Sequence, residues 1–230
     1  MDSARTNILA ELASRIQLVE SGRRPQGQLS LELGSVDRLL PEEGLPPGSL
    51  VELLSNTDGV GVWTLALFMG WHACGEGRTL VVVDPERCFY PPAAALKLGI
   101  DLARTIVIRP RSWPDAYVAL EQSMRCSAVG AVIGRCDRLS FADCRRLQLA
   151  AEAGGGVGLL LRSEETRGAP SFAALRLRVT PLGEGRGTRV EGRGGKNQFH
   201  FSSLASHLSP LAPRPSFRVD VLRCRSSKTG

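Results

Sequence analysis

Residues 44–64 read GLPPGSLVELLSNTDGVGVWT, and this stretch decides the fold. Leu50–Leu54, LVELL, reads as a strand. SNTDGVG then supplies a turn-rich loop, and VWTLALFMGWHACGEG continues at helical spacing. A strand, a glycine-containing loop and a helix in that order are how a parallel α/β sheet begins. In such a sheet the loop, at the N-terminus of the helix, is the phosphate site. Outward from this point the pattern repeats. Leu80–Val83 is a continuous apolar run, the mark of a strand buried on both faces, and further strands are expected at 105–109, 129–134 and 156–162. Helices are expected at 92–98, 115–126 and 140–153. Such alternation predicts βαβ units and a parallel sheet with helices on both faces.

The flanks differ in character. In residues 5–20, RTNILAELASRIQLVE, the side chains Ile8, Leu9, Leu12, Ile16 and Val19 fall at helical spacing, and SGRRPQGQ then breaks the pattern. Leu9, Leu12 and Ile16 share one face, suited to a neighbouring chain or to this chain's own core. From about residue 173, LRLRVTPL and KNQFHFS are expected as antiparallel strands joined by GEGRGTRVEGRGG. The last twenty residues, which include Pro213 and Pro215, are expected to be irregular. The reading is three parts: an N-terminal helix and linker (1–28), an α/β core (29–175) and a basic extension (176–230).

Composition narrows the classes. Among 230 residues 43% are hydrophobic and 5% aromatic, so the core must rest on Leu, Val, Ala and Ile. No apolar run reaches the roughly 18 residues a membrane span needs. The N-terminus mixes charges without a long apolar block, unlike a secretory signal, and a cytoplasmic protein is expected. The six cysteines include no CxxC pair, so neither a metal nor disulfides are expected. His72, His200 and His207 form no arrangement suited to nucleophilic catalysis. Residues 176–230 hold nine Arg and two Lys against three acidic residues, a balance of +8, while the other 175 residues balance at −2. Such a field attracts phosphate backbones or an acidic protein surface. Arg176, Arg178, Arg186, Arg189, Arg193 and Lys196 are therefore the candidate contacts to DNA or a partner. With only Phe199 and Phe201 for stacking, sequence-independent backbone contact or docking on an acidic surface fits best. Arg138, Arg145 and Arg146 read as a solvated face.

The phosphate loop lacks what phosphate needs. A working nucleotide loop carries a lysine for the terminal phosphates and a Ser/Thr hydroxyl for magnesium. Ser55-Asn56-Thr57-Asp58-Gly59-Val60-Gly61-Val62-Trp63 has neither in the required order, and Asp58 would repel phosphate. Trp63 suits packing at the loop–helix junction or contact with a partner.

The phrases LSLELGSVDRLL (29–40), GLPPGSLVELLS (44–55), RTLVVVDPER (78–87) and ALKLGIDLARTIVI (95–108) resemble, in order and spacing, the core of the RecA recombinases. The resemblance covers about half the chain, from Ser30 to Leu139. It implies a RecA-like fold and places Glu86 where that family has its catalytic glutamate. It also puts Val62 and Trp63 at the lysine and threonine positions, Ala94 at the adenine-stacking aromatic and Gly134 at a magnesium-assisting aspartate. The degenerate site is thus Ser55, Gly59, Gly61, Val62, Trp63 and Glu86, with Glu86 a relic or a structural carboxylate. No catalytic residue and no cofactor are expected.

Short relatives of RecA with such a broken site are similar to the ImuA family, also described as SulA-like. That resemblance implies a non-catalytic accessory role in SOS-induced translesion synthesis and mutagenesis. Its implied partners are an ImuB-like Y-family protein, an error-prone C-family polymerase, RecA and single-stranded DNA. The alternatives are an active RecA-family ATPase with an unorthodox loop, or a cell-division inhibitor of the SulA type.

Overall fold

The computed structural model describes residues 28–29, 44–56, 60–75, 77–181, 198–201 and 217–224. Among them eight strands form one sheet: β1 (Leu50–Ser55), β2 (Thr79–Val83), β3 (Thr105–Ile108), β4 (Val129–Arg135), β5 (Val157–Ser163), β6 (Leu175–Pro181), β7 (Gln198–Phe201) and β8 (Phe217–Cys224). Their order is β3-β2-β4-β5-β1-β6-β8-β7. The six strands from β3 to β6 run parallel, and β8 lies antiparallel between β6 and β7. The helices are α1 (Val60–Cys74), α2 (Pro91–Leu98), α3 (Trp113–Arg125) and α4 (Phe141–Gly154). This is the expected α/β class, with a RecA-like parallel sheet between helices.

Strand alternation sorts the core into two layers. Val51, Leu53, Leu80, Val82, Ala131, Ile133, Leu159 and Leu161 pack with α1. Leu50, Val81, Val83, Val132 and Leu160 face α3 and α4. Helix α1 approaches the sheet closely. A Cβ on Gly70 would lie 3.0–3.2 Å from Leu159, Ile133 and Leu80, so glycine is what allows the contact. Ser112 caps α3 by accepting from the amide of Asp115, and Ser140 and Asp143 form a reciprocal capping box on α4. Buried Arg78 donates to the carbonyls of Ser127, Val129, Gly154 and Gly155, tying the C-terminal end of α4 to the start of β4.

Three expectations change. LRLRVTPL and KNQFHFS do not pair with each other, because β8 lies between them and pairs with both. The last twenty residues are not all irregular, since β8 occupies 217–224. Its alternation of Phe217, Val219 and Val221 with Arg218 and Asp220 is a strand pattern that the nearby prolines obscured. The boundary drawn at 175/176 cuts through β6, which pairs with β1 in the parallel sheet. The N-terminal helix, with Leu9, Leu12 and Ile16, lies outside the described residues. So do His207 and the segment 182–197.

Candidate functional site: the sheet edge after the first strand

Because β3, β2, β4, β5 and β1 are parallel, their C-terminal ends share one edge, where open α/β sheets bind ligands. Ser55 ends β1 there, opposite Ser163 of β5. Gly59 lies outside the described residues, as do Thr57 and Asp58. The first turn of α1 brings Gly61, Val62 and Trp63 to this edge. Gly61 and Val62 are buried, and Trp63 is half-buried against the α1-side core. These side chains serve packing and bring neither a cation nor a hydroxyl to a phosphate.

The carboxylates after β2 have separate tasks. Asp84, fully buried, accepts from the amides of Cys88 (2.9 Å) and Phe89 (3.0 Å) and lies 3.9 Å from Arg109. It holds the turn that carries Glu86. Arg87, next in the chain, has φ 58, the left-handed region that non-glycine residues rarely adopt. Glu86 is partly exposed and pairs with Arg135 at 3.5 Å, and Arg135 also pairs with Asp137 at 3.0 Å. At the end of β4, a Cβ on Gly134 would come within 2.7 Å of Leu120 Cδ2. An aspartate there would have to displace a buried leucine. Ala94 is buried in the α1-side core and offers no face for stacking. At the positions that the resemblance gives to lysine, hydroxyl, strand-end carboxylate and stacking ring stand Val62, Trp63, Gly134 and Ala94, whose side chains offer no group to a magnesium nucleotide. Among the described residues no three His, Cys, Asp or Glu side chains are grouped as a metal would require.

The basic candidates divide. Arg176 is buried, and its Nε lies 2.7 Å from Glu52 while its guanidinium also donates to the carbonyls of Thr166 and Arg167. Arg178 pairs with Asp220 at 2.6 Å and keeps about a third of its side chain exposed (34%). Arg176 is therefore a structural residue, and Arg178 is largely engaged within the sheet. Arg186, Arg189, Arg193 and Lys196 lie outside the described residues. Elsewhere Arg146 pairs with Glu121 and sits over Tyr117, and Arg145 sits over Phe172. His72 packs on Phe68, ring centroids 4.4 Å apart.

Sequence reasoning passed over Glu52. This carboxylate, on β1, is 2% exposed and holds two arginines, Arg162 Nη1 at 3.1 Å and Arg176 Nε at 2.7 Å, with Ser171 Oγ donating at 2.8 Å. A single acid inside LVELL was the available signal, since a buried charge demands partners. Burial also pushes the neighbouring Cys136 thiol up to about 12, and Cys74 up to about 11. Neither is a nucleophile near neutral pH.

The strand order defines an α/β protein with a RecA-like parallel core. RecA of Chlorobium limicola is 34% identical over 106 residues, 45% of this chain and 30% of its own length. RecA of Rhodopirellula baltica is 32% identical over 99 residues, 43% of this chain and 26% of its own. Protein ImuA of Caulobacter vibrioides is 27% identical over 223 residues, 92% of this chain and 85% of its own length. The chain is thus similar to ImuA over nearly its whole length and to the RecA core over somewhat under half of it. No protein-family model matches it. The crystal structure of SulA from Pseudomonas aeruginosa aligns with a TM-score of 0.41 and 19% identity, covering 49% of this chain and 97% of that one.

Proposed function

We propose that this protein is a non-catalytic adaptor in the cytoplasm, acting in SOS-induced translesion synthesis by binding an ImuB-like protein, RecA or DNA. Similarity to ImuA over nearly the whole chain supports the pathway. The observation that carries the non-catalytic reading is the corner itself: Val62 and Trp63 pack where phosphate would be gripped, and Gly134 is closed by Leu120. Glu86 then serves as a structural carboxylate, paired with Arg135. With Arg176 and Arg178 engaged inside the fold, contact with DNA or an acidic partner falls to Arg186, Arg189, Arg193 and Lys196.

Thermal melting with Mg-ATP and polarisation of labelled single-stranded DNA over a salt series test this reading. Millimolar Mg-ATP leaves the melting temperature unchanged. DNA binding weakens with salt and is lost when Arg186, Arg189 and Arg193 become Ala. No DNA binding moves the adaptor to protein partners alone. ATP hydrolysis abolished by Glu86→Gln overturns the non-catalytic reading.

A further inference from the structure

A pocket of about 370 Å³ opens between the first turns of α3 and the loop joining β4 to α4. Trp113, Tyr117 and Leu120 from α3, with Cys136 and Leu139 from the loop, make the apolar part of its wall, and Arg135, Asp137 and Arg138 the charged part. Leu120 and Cys136 are buried and form the floor, whereas Trp113 is 52% exposed at the rim. Two residues past Leu139, Phe141 is 62% exposed and rests edge-on against Phe172, centroids 5.0 Å apart. An exposed tryptophan and phenylalanine beside an apolar hole have the composition of an interface hot spot.

Charge selects the occupant. The acids near the pocket are already engaged. Asp137 accepts from the Ser163 amide and from Arg135, whose Nη1 also reaches Glu86. Asp115 and Asp143 are turned onto the caps of α3 and α4. Arg138 lines the pocket and is exposed, and no carboxylate pairs with it among the described residues. Arg111, two residues before Trp113, is likewise exposed and has no such partner. Among the described residues Arg138 therefore leaves one unpaired positive charge beside the apolar part of the pocket, while Arg135 and Asp137 pair with each other. Tyr117, which could hydrogen-bond a ligand inside, directs its hydroxyl to the Asp143 carbonyl (3.3 Å). Floor and wall suit a hydrocarbon side chain better than the polar edge of a base.

We propose that this pocket docks a short acidic peptide segment of a partner protein, inserting one bulky apolar side chain between Trp113 and Leu139 while its carboxylates meet Arg138 and Arg111. The inference deepens the adaptor reading and rests on it only for the premise that the chain works by binding. It uses residues far in sequence from the basic segment 186–196.

The test is fluorescence polarisation of the full chain with labelled peptides that carry a single Trp, Phe or Leu between runs of Asp and Glu. The expected result is saturable binding that falls by about tenfold or more in Trp113→Ala and in Arg138→Glu. Binding persists in Arg138→Lys and disappears when the peptide's apolar residue is Ala. Both substituted residues are at the surface, and a melting curve checks that the variants remain folded; should Trp113→Ala unfold, Arg138→Glu decides. Failure of every such peptide to bind overturns the proposal, as does wild-type binding by folded Arg138→Glu. Competition by oligo-dT at this pocket replaces the peptide with nucleic acid and equally overturns it. The variant with Arg186, Arg189 and Arg193 changed to Ala keeps peptide binding, so loss of the DNA result and loss of this one are read separately.

Discussion

On the face of the sheet beneath α1, the inward residues of β1, β4 and β5 are aliphatic or alanine, from Val51 and Leu53 through Ala131 and Ile133 to Leu159 and Leu161. The opposite face begins the same way, with Leu50, Val132 and Leu160. Two residues further along, Leu50 gives way to Glu52 on β1 and Leu160 to Arg162 on β5, and Arg176 of β6 lies beside Glu52. The two faces are buried to similar depth and held differently. Hydrocarbon packing tolerates the loss of one contact as a cavity. An ion cluster tolerates it poorly, because the remaining charges stay buried without a partner. The cluster also joins β1 to the strands on either side, so a basic-looking segment of the sequence helps to close the core.

Glu52→Leu is the most damaging single change. It leaves Arg162 and Arg176 facing each other in a buried site and should cost about 3–5 kcal/mol, read from urea unfolding. Leu53→Ala, one residue away on the other face, should cost about 2–5 kcal/mol as a cavity. The difference lies in the rescue. Changing Glu52, Arg162 and Arg176 together to Leu, Met and Leu should recover most of the loss, whereas no polar partner repairs the cavity at residue 53. If the triple variant is no more stable than Glu52→Leu, the cluster does not act through charge.

The buried thiols give a smaller, pH-dependent effect. Cys74 and Cys136 ordinarily ionise near 9 and are pushed up to about 11 and about 12 by burial. Above pH 9 the unfolded chain releases these protons and the folded chain retains them. Their contribution to stability is thus complete below pH 9 and is lost as pH rises towards 11–12. Denaturation midpoints should fall across that window, and Cys136→Ala should flatten the slope. At neutral pH a thiol reagent should label the exposed Cys88 and Cys126 quickly, and the buried Cys74, Cys136 and Cys144 only on unfolding.

The smallest effect belongs to Arg178→Ala. Arg178 is a third exposed but Asp220 is buried, so the loss leaves a buried carboxylate short of a donor and should cost about 1–2 kcal/mol. A cost near that of Glu52→Leu would show that the cluster's reach extends to β8.

Much of the fold was legible because buried parallel strands are written as unbroken apolar runs. Leu80–Val83 and the residues of β4 and β5 needed no partner to be recognised. β8 was harder, since FRVDVLRC follows three prolines and its alternation makes sense only against an existing edge. The loop after β1 was also legible as the place to compare with a phosphate site, because what phosphate requires is a short list of side chains at fixed places in one loop.

Read alone, the amino-acid sequence yields the class of fold, the order of strands and helices along the chain, and a first loop without lysine and hydroxyl in the required order; each depends on neighbours within a few residues. Only the tertiary structure decided which arginines are available to a partner. Arg162 lies 110 residues from Glu52 in the chain, yet the two meet at 3.1 Å. Arg138, by contrast, sits at the mouth of an apolar pocket with no acid of its own among the described residues. Local composition counts both as positive charges. Whether a charge is consumed by the fold or left to face solvent depends on the distance to a carboxylate, and strand pairing sets that distance.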